Sequence, residues 1–154
     1  IMITDPQIVD SPEVATAAIR LLIPSNEIAE HMDDAVMELV EAILDQDVEF
    51  AGPMVALHFR RPTTTFDCEL AFPIASPIDE VGRVVNSRLP SVKVVRTVYQ
   101  GPYEGLVAAW GDLQAWMAAN AVVGTEMFME RYLTNPDVVE DPAQYQTELN
   151  WVIA

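Results

Sequence analysis

The sequence predicts an α+β fold: a duplicated βαββ unit with pseudo-twofold symmetry, its antiparallel sheets forming a central cleft and one long helix per half packed outside. Three observations predict it. Tyr145–Ile153 alternates as a strand, with Tyr145, Thr147, Leu149, Trp151 and Ile153 on one face and Gln146, Glu148 and Asn150 on the other. Phe66–Ile74 repeats that pattern. With Glu69 set against Glu148, 79 residues on, Phe66 meets Tyr145, Leu70 meets Leu149, Phe72 meets Trp151 and Ile74 meets Ile153. Each of these strands closes a run that reads strand, helix, strand, strand. One such unit cannot bury both sides of its sheet, whereas two sharing a core can.

In chain order, Ile1–Pro12 is a leading segment with a short strand at Gln7–Val9. Val14–Ile23 is β-branched and aliphatic, and Pro24 ends it. Ser25 offers an N-cap, with Glu27 and Glu30 in the first turn. Ile28, Met32, Ala35, Val36, Leu39 and Ile43 then form one helical stripe. Glu30, Asp33, Asp34, Glu38, Glu41 and Asp45 occupy the rest of that helix and read as its solvated face. Gly52-Pro53 turns the chain, Met54–Arg60 is a strand, and Arg61–Thr65 is a hairpin loop into Phe66–Ile74. Residues 76–90 carry prolines, Gly82 and polar residues and read as a linker between halves 1–75 and 91–154 of a single domain. Val92–Tyr99 is a strand, and Gln100-Gly101-Pro102 turns into a helix striped by Leu106, Trp110, Leu113 and Met117. Met127–Leu133 and Tyr145–Ile153 are the last two strands.

Composition bounds the function. Hydrophobic residues make up 51% of 154, enough for a sizeable interior. No apolar run approaches the ~20 residues of a membrane span, and no basic, apolar leader is present, so a cytoplasmic protein is expected. The net charge of −16, from 24 acidic and 8 basic residues, repels nucleic acid and argues against direct DNA binding. Cys68 is the only cysteine and lies on an apolar strand face, as a small buried hydrophobe would. With one cysteine and two isolated histidines, His31 and His58, no metal site is expected.

Three stretches carry a family resemblance: Val98–Leu106 with Trp110, Leu113 and Trp116 (VYQGPYEGL…W..L..W), Glu130–Pro136 (ERYLTNP) and Thr147–Val152 (TELNWV). The N-terminal half adds GP…F.RP…ELAFPI. In this order and spacing the chain resembles the GyrI-like, or effector-binding, domains. These are ligand-sensing modules of MerR-type and AraC-type multidrug regulators that also occur alone, and they relate distantly to the SOUL haem-binding fold. The resemblance implies a ligand cleft between halves and a buried acid on the last strand that attracts cationic, aromatic compounds. That acid maps onto Glu148, the family's Y-x-x-P tyrosine onto Tyr132, and its GPYEGL tyrosine onto Tyr103. His58-Phe59-Arg60-Arg61 departs from the pattern, and its arginines either oppose a cation or pair with the abundant acids.

By alternation Phe128, Glu130 and Tyr132 share one strand face, which can meet Glu148 if their strands pair. The expected ligand-binding set is Glu148, Tyr132, Glu130, Phe128, Tyr103, Trp110, Glu69 and Phe59. Each residue has a plainer reading. Glu148 satisfies a nearby arginine, Tyr132 and Trp110 are core, Glu69 and Glu130 are edge acids, and Tyr103 starts a helix. The expected function is binding of small aromatic, cationic compounds by a sensor or sequestering protein, without a cofactor. One alternative that the family resemblance implies is hydrolysis of cyclopropane-bearing DNA alkylators, with Glu148 as general base and Tyr132 as hydrogen-bond donor. Another is a protein partner such as gyrase, met through a DNA-like acidic surface. Haem has no recognisable histidine position.

Overall fold

Apolar spacing decides where each helix lies. In α1 (Ile28–Asp45) Ala35, Leu39, Ala42 and Ile43 are buried, and most of the acidic residues face water. In α2 (Leu106–Ala119) Ala109, Leu113 and Met117 are buried, with Leu106, Trp110 and Trp116 half-buried beside them. The computed structural model describes residues 3–154, so Ile1 and Met2 of the leading segment lie outside the described residues. Its strands are β1 (Gln7–Ser11), β2 (Val14–Pro24), β3 (Val55–His58), β4 (Thr65–Pro73), β5 (Val85–Leu89), β6 (Val92–Gln100), β7 (Gly124–Tyr132) and β8 (Gln146–Ile153). They form one antiparallel sheet in the order β1-β6-β8-β7-β3-β4-β2-β5.

Read outward from the β7–β3 pair, that order is the same in both directions. β8, β6 and β1 lie on one side, and β4, β2 and β5 on the other. Each βαββ run supplies three adjacent strands, and the strand leading each run crosses to the other run. β1 pairs with β6 and β5 pairs with β2. The expected linker 76–90 therefore contains an edge strand. Only Val84-Val85 is continuously apolar there, and β5 owes its form to pairing with β2 rather than to its own pattern.

The sheet curls. Val9 on β1 and Leu89 on β5 stand at opposite margins, yet they join one cluster with Ala18, Val55, Leu57, Ala71, Val94, Met129 and Val152. That face is the inside of a half-barrel, filled by its own side chains. Both helices pack on the outer face. α1 lies over Ala17, Ile19, Ala56, Cys68 and Leu70, and α2 over Val95, Tyr99, Leu149 and Trp151. The expectation of helices outside is met.

Two local details differ from expectation or explain it. Ser25 does not cap α1. Its hydroxyl donates to Thr63 O at 2.8 Å and its N–H to Thr64 O at 2.9 Å, which ties the end of β2 to the β3–β4 loop. The Gln100–Gly105 turn explains its own residues. Gly101 holds φ at 150°, a value L side chains rarely adopt, and its N–H donates to Tyr145 O at 2.8 Å. The Tyr99 hydroxyl donates to Pro102 O at 2.7 Å, and it fills the space where a Cβ at position 105 would stand.

Gly105→Ala should gain helix propensity yet lose about 1–3 kcal/mol of stability, because the anchored, buried Tyr99 ring must move. Urea unfolding with an unchanged m-value checks this. A stabilised variant would show that the ring gives way freely.

Candidate functional site

β7 sends Phe128, Glu130 and Tyr132 to the outer face, into the groove between α1 and α2. Glu130 is half-buried there and accepts two hydrogen bonds at 2.7 Å. Trp110 Nε1 on α2 donates to Oε2, and the Tyr132 hydroxyl donates to Oε1. Among the described residues no basic nitrogen lies within 4.0 Å of that carboxylate. The Tyr132 phenol is pushed well above its ordinary value of 10, first by burial and then by the Glu130 charge, so it stays a donor.

Aromatic rings wall this carboxylate. Trp110 meets Phe128 edge-on at 4.9 Å and Trp151 at 5.7 Å. His58, opposite Phe128 in the β3–β7 register, stacks flat on it at 4.4 Å and 4°. Tyr103 stands 6.1 Å from Tyr132 and 5.2 Å from Tyr145. Arg61 reaches from the hairpin loop and lays its guanidinium 4.7 Å above Trp151. Burial holds His58 neutral, its value lowered to about 4, and its buried Nδ1 has no partner among the described residues. Cys68, beside His58 in register, is pushed up to about 11 by burial first and the Asp67 charge second, so it is a thiol rather than a nucleophile.

Of the residues expected in the site, Tyr132, Glu130, Phe128, Trp110 and Tyr103 come together. Glu148 does not join them, and the expectation that it meets the Phe128–Tyr132 face is corrected by the register. β7 and β8 pair Glu148 with Arg131 and Glu130 with Leu149, so the two carboxylates point to opposite faces of the sheet. On the inner face Glu148 Oε1 lies 3.3 Å from Arg96 and 3.4 Å from Arg131, and it accepts from Asn150 at 3.0 Å. Asn150 in turn accepts from Arg96 at 2.7 Å. Glu69 shares the inner face, buried, and accepts from Ser87 at 2.9 Å. Phe59 is also away from the groove, under the Arg20 guanidinium at 4.1 Å. The expected set lacked His58, Tyr145, Trp151 and Arg61, the last named only as one of two arginines that oppose a cation or pair with acids. Strand parity places the first three on the groove face, but parity alone does not say which face of the sheet carries the groove. Two surface cavities, of ≈ 240 and ≈ 350 Å³, lie elsewhere, one against the acidic side of α1 and one beside Trp116.

The chain belongs to the GyrI-like small molecule binding domain family, whose pattern spans residues 4–153. Solved structures share the fold. The C-terminal domain of EcmrR superposes with a TM-score of 0.85 at 16% identity, covering 97% of each chain. EcmrR in a complex with DNA scores 0.84 at 16% identity, and there the present chain spans 57% of the length of its relative. SAV2435 bound to tetraphenylphosphonium scores 0.71 at 13% identity, over 98% of this chain and 94% of that one. A hydrolase encoded by lin2189 from Listeria innocua scores 0.68 at 13% identity, over 97% and 91%. No curated protein sequence matches the chain. No helix among the described residues is long and apolar enough to cross a membrane.

The pH dependence of stability tests the burial of His58. Its folded value is depressed, so between about 6.5 and 4 the unfolded chain binds a proton that the folded chain refuses. Stability therefore falls as pH drops through that window and levels off below it, by at most roughly 3 kcal/mol. The difference between wild type and His58→Phe, measured by urea unfolding at pH 7.5 and 4.5, should shrink by that order. Parallel curves for the two proteins would count against it.

Proposed function

We propose that the chain binds flat aromatic cations in the groove between α1 and α2, with Glu130 as the anchor, and serves as a ligand-sensing or sequestering module. The observation that carries this reading is a half-buried carboxylate held only by two neutral donors and walled by aromatic rings. Such a carboxylate is hydrogen-bonded but not neutralised. A cation 4 Å away gains about 4 kcal/mol at an effective dielectric near 20, and each ring it stacks on adds roughly 0.5–2 kcal/mol. Glu148 lacks that opening, because two guanidinium groups already balance it. Membership of a small-molecule-binding family and the tetraphenylphosphonium complex of the similar SAV2435 support the reading. The groove side chains pack closely, so a ligand reaches Glu130 by turning Trp110, Tyr132 or Arg61 aside.

Fluorescence titration with a rhodamine ester should find Glu130→Gln weakened at least tenfold, about 1.4 kcal/mol. Glu148→Gln should bind within twofold of wild type while losing about 1–3 kcal/mol of unfolding stability, because its arginines lose their counter-charge. The opposite pattern, binding lost at Glu148 and kept at Glu130, would move the anchor to the inner face.

A second reading is hydrolytic, and the direct Glu130–Tyr132 hydrogen bond favours it. Glu130 would take a proton from water as the water oxygen bonds to a ring carbon. The C–C bond of the cyclopropane would break with its electron pair passing to the adjoining carbonyl, and Tyr132 would donate to that oxygen. The proton held by Glu130 would then return to the product. Incubation with a cyclopropane-bearing alkylator, followed by mass spectrometry, should then show water added by wild type and not by Glu130→Gln. Equal product from both excludes this chemistry for that substrate.

A further inference from the structure

We propose that the groove is built for zwitterionic aromatic ligands, with Glu130 taking the cationic pole and Arg61 an anionic one. This inference rests on the groove being the ligand site. It starts from a pairing pattern. The chain holds 24 acidic and 8 basic residues, and seven of the eight basic side chains have a carboxylate within 4.0 Å: Arg20 and Arg60 with Asp67, Arg83 with Glu38, Arg88 with Glu13, Lys93 with Asp10, and Arg96 and Arg131 with Glu148. Arg61 alone has none among the described residues, in a chain where acids outnumber bases three to one.

Its position is equally particular. Arg60, one residue earlier, goes to Asp67, whereas Arg61 turns to the groove and stacks over Trp151. A guanidinium resting over an indole still has five N–H donors to offer, in the fork that suits a carboxylate. No protein acceptor within the described residues takes any of them. Glu130 does not neutralise it either, since that carboxylate is engaged by Trp110 and Tyr132. The groove thus presents one acid without a cation and one cation without an acid, at the two ends of the Trp110–Trp151 pair.

Charge then selects the ligand. A simple organic cation meets Glu130 but is opposed by Arg61. A simple organic anion meets Arg61 but approaches a chain of net charge −16. A flat molecule carrying both a cationic ring system and a carboxylate escapes both penalties: its net charge is near zero and its two poles match the two unpaired groups.

Rhodamine 110 and its methyl ester, rhodamine 123, test this as a matched pair. They share one xanthylium cation and differ only in whether the carboxylate is free. Calorimetric titration should find the free acid bound at least fivefold tighter than the ester by wild type. Arg61→Gln should remove or invert that preference by weakening the acid and tightening the ester. Arg88→Gln, which breaks an exposed pair on an edge strand, should keep it. Equal affinity for the two dyes, or a preference that survives Arg61→Gln, would overturn the inference while leaving the groove as a ligand site. If neither dye binds, or both bind unchanged to Glu130→Gln, the reading of the groove fails and this inference fails with it. Circular dichroism of each variant separates lost binding from lost fold.

Discussion

Glu130 and Arg131 are neighbours in the chain, and the sheet sends them to opposite faces. The chemistry of the molecule follows from that single step. Arg131 turns inward and, with Arg96 and Asn150, encloses Glu148 in a network that sets two guanidinium groups against one carboxylate. Glu130 turns outward and meets only neutral donors. The two carboxylates differ little in burial and not at all in kind. What separates them is the charge around each, and a slip of one residue between β7 and β8 would bring both carboxylates to one face.

The crossing of the leading strands shapes the two faces of the sheet. Because β1 completes the second half and β5 the first, the sheet is drawn into a curl whose inner face closes on Ala18, Ala71, Leu57, Met129 and Val152. Small residues at Ala18 and Ala71 let the inner layer meet itself. The outer face is divided between two helices with separate cores, and the strip over β3, β7 and β8 between them holds the aromatic rings. The pairing of βαββ runs that gives the fold its symmetry therefore also makes the groove, at its centre.

Much of this was legible in the sequence. Both helices, the alternating strands and the common face of Phe128, Glu130 and Tyr132 came from period alone, and the Gly101–Gly105 turn marked the start of α2. The outward face of β8 was not legible. Thr147, Leu149, Asn150, Trp151 and Val152 are all buried, so both faces of that strand read as interior, and apolar alternation cannot tell the inside of a half-barrel from the floor of a groove. Glu148, the polar residue on a central strand, drew attention for a sound reason, since a carboxylate there needs a partner. The partners were arginines from two other strands, Arg96 and Arg131, joined only by tertiary register. His58 had no pattern to reveal it, and Arg61 stood out only as one of two arginines that oppose a cation or pair with acids. One is a lone ring on a four-residue strand, and the other sits in a loop whose direction is set by the contacts it makes.

Trp110 ties these layers together. It belongs to the core of α2, it packs on Phe128 and Trp151 of the sheet, and its indole N–H ends on Glu130. On the proposed reading a ligand cation competes with Trp110 and Tyr132 for one carboxylate. The bonds it displaces already end on an ionised acceptor. The exchange therefore rests on the attraction of two full charges, about 4 kcal/mol at 4 Å and an effective dielectric near 20, set against an indole N–H that has lost its acceptor. The displaced group is anchored in a helix rather than in a loop. Occupancy of the groove is therefore felt along α2, through a side chain that cannot turn without disturbing the packing of Ala109 and Leu113 beneath it.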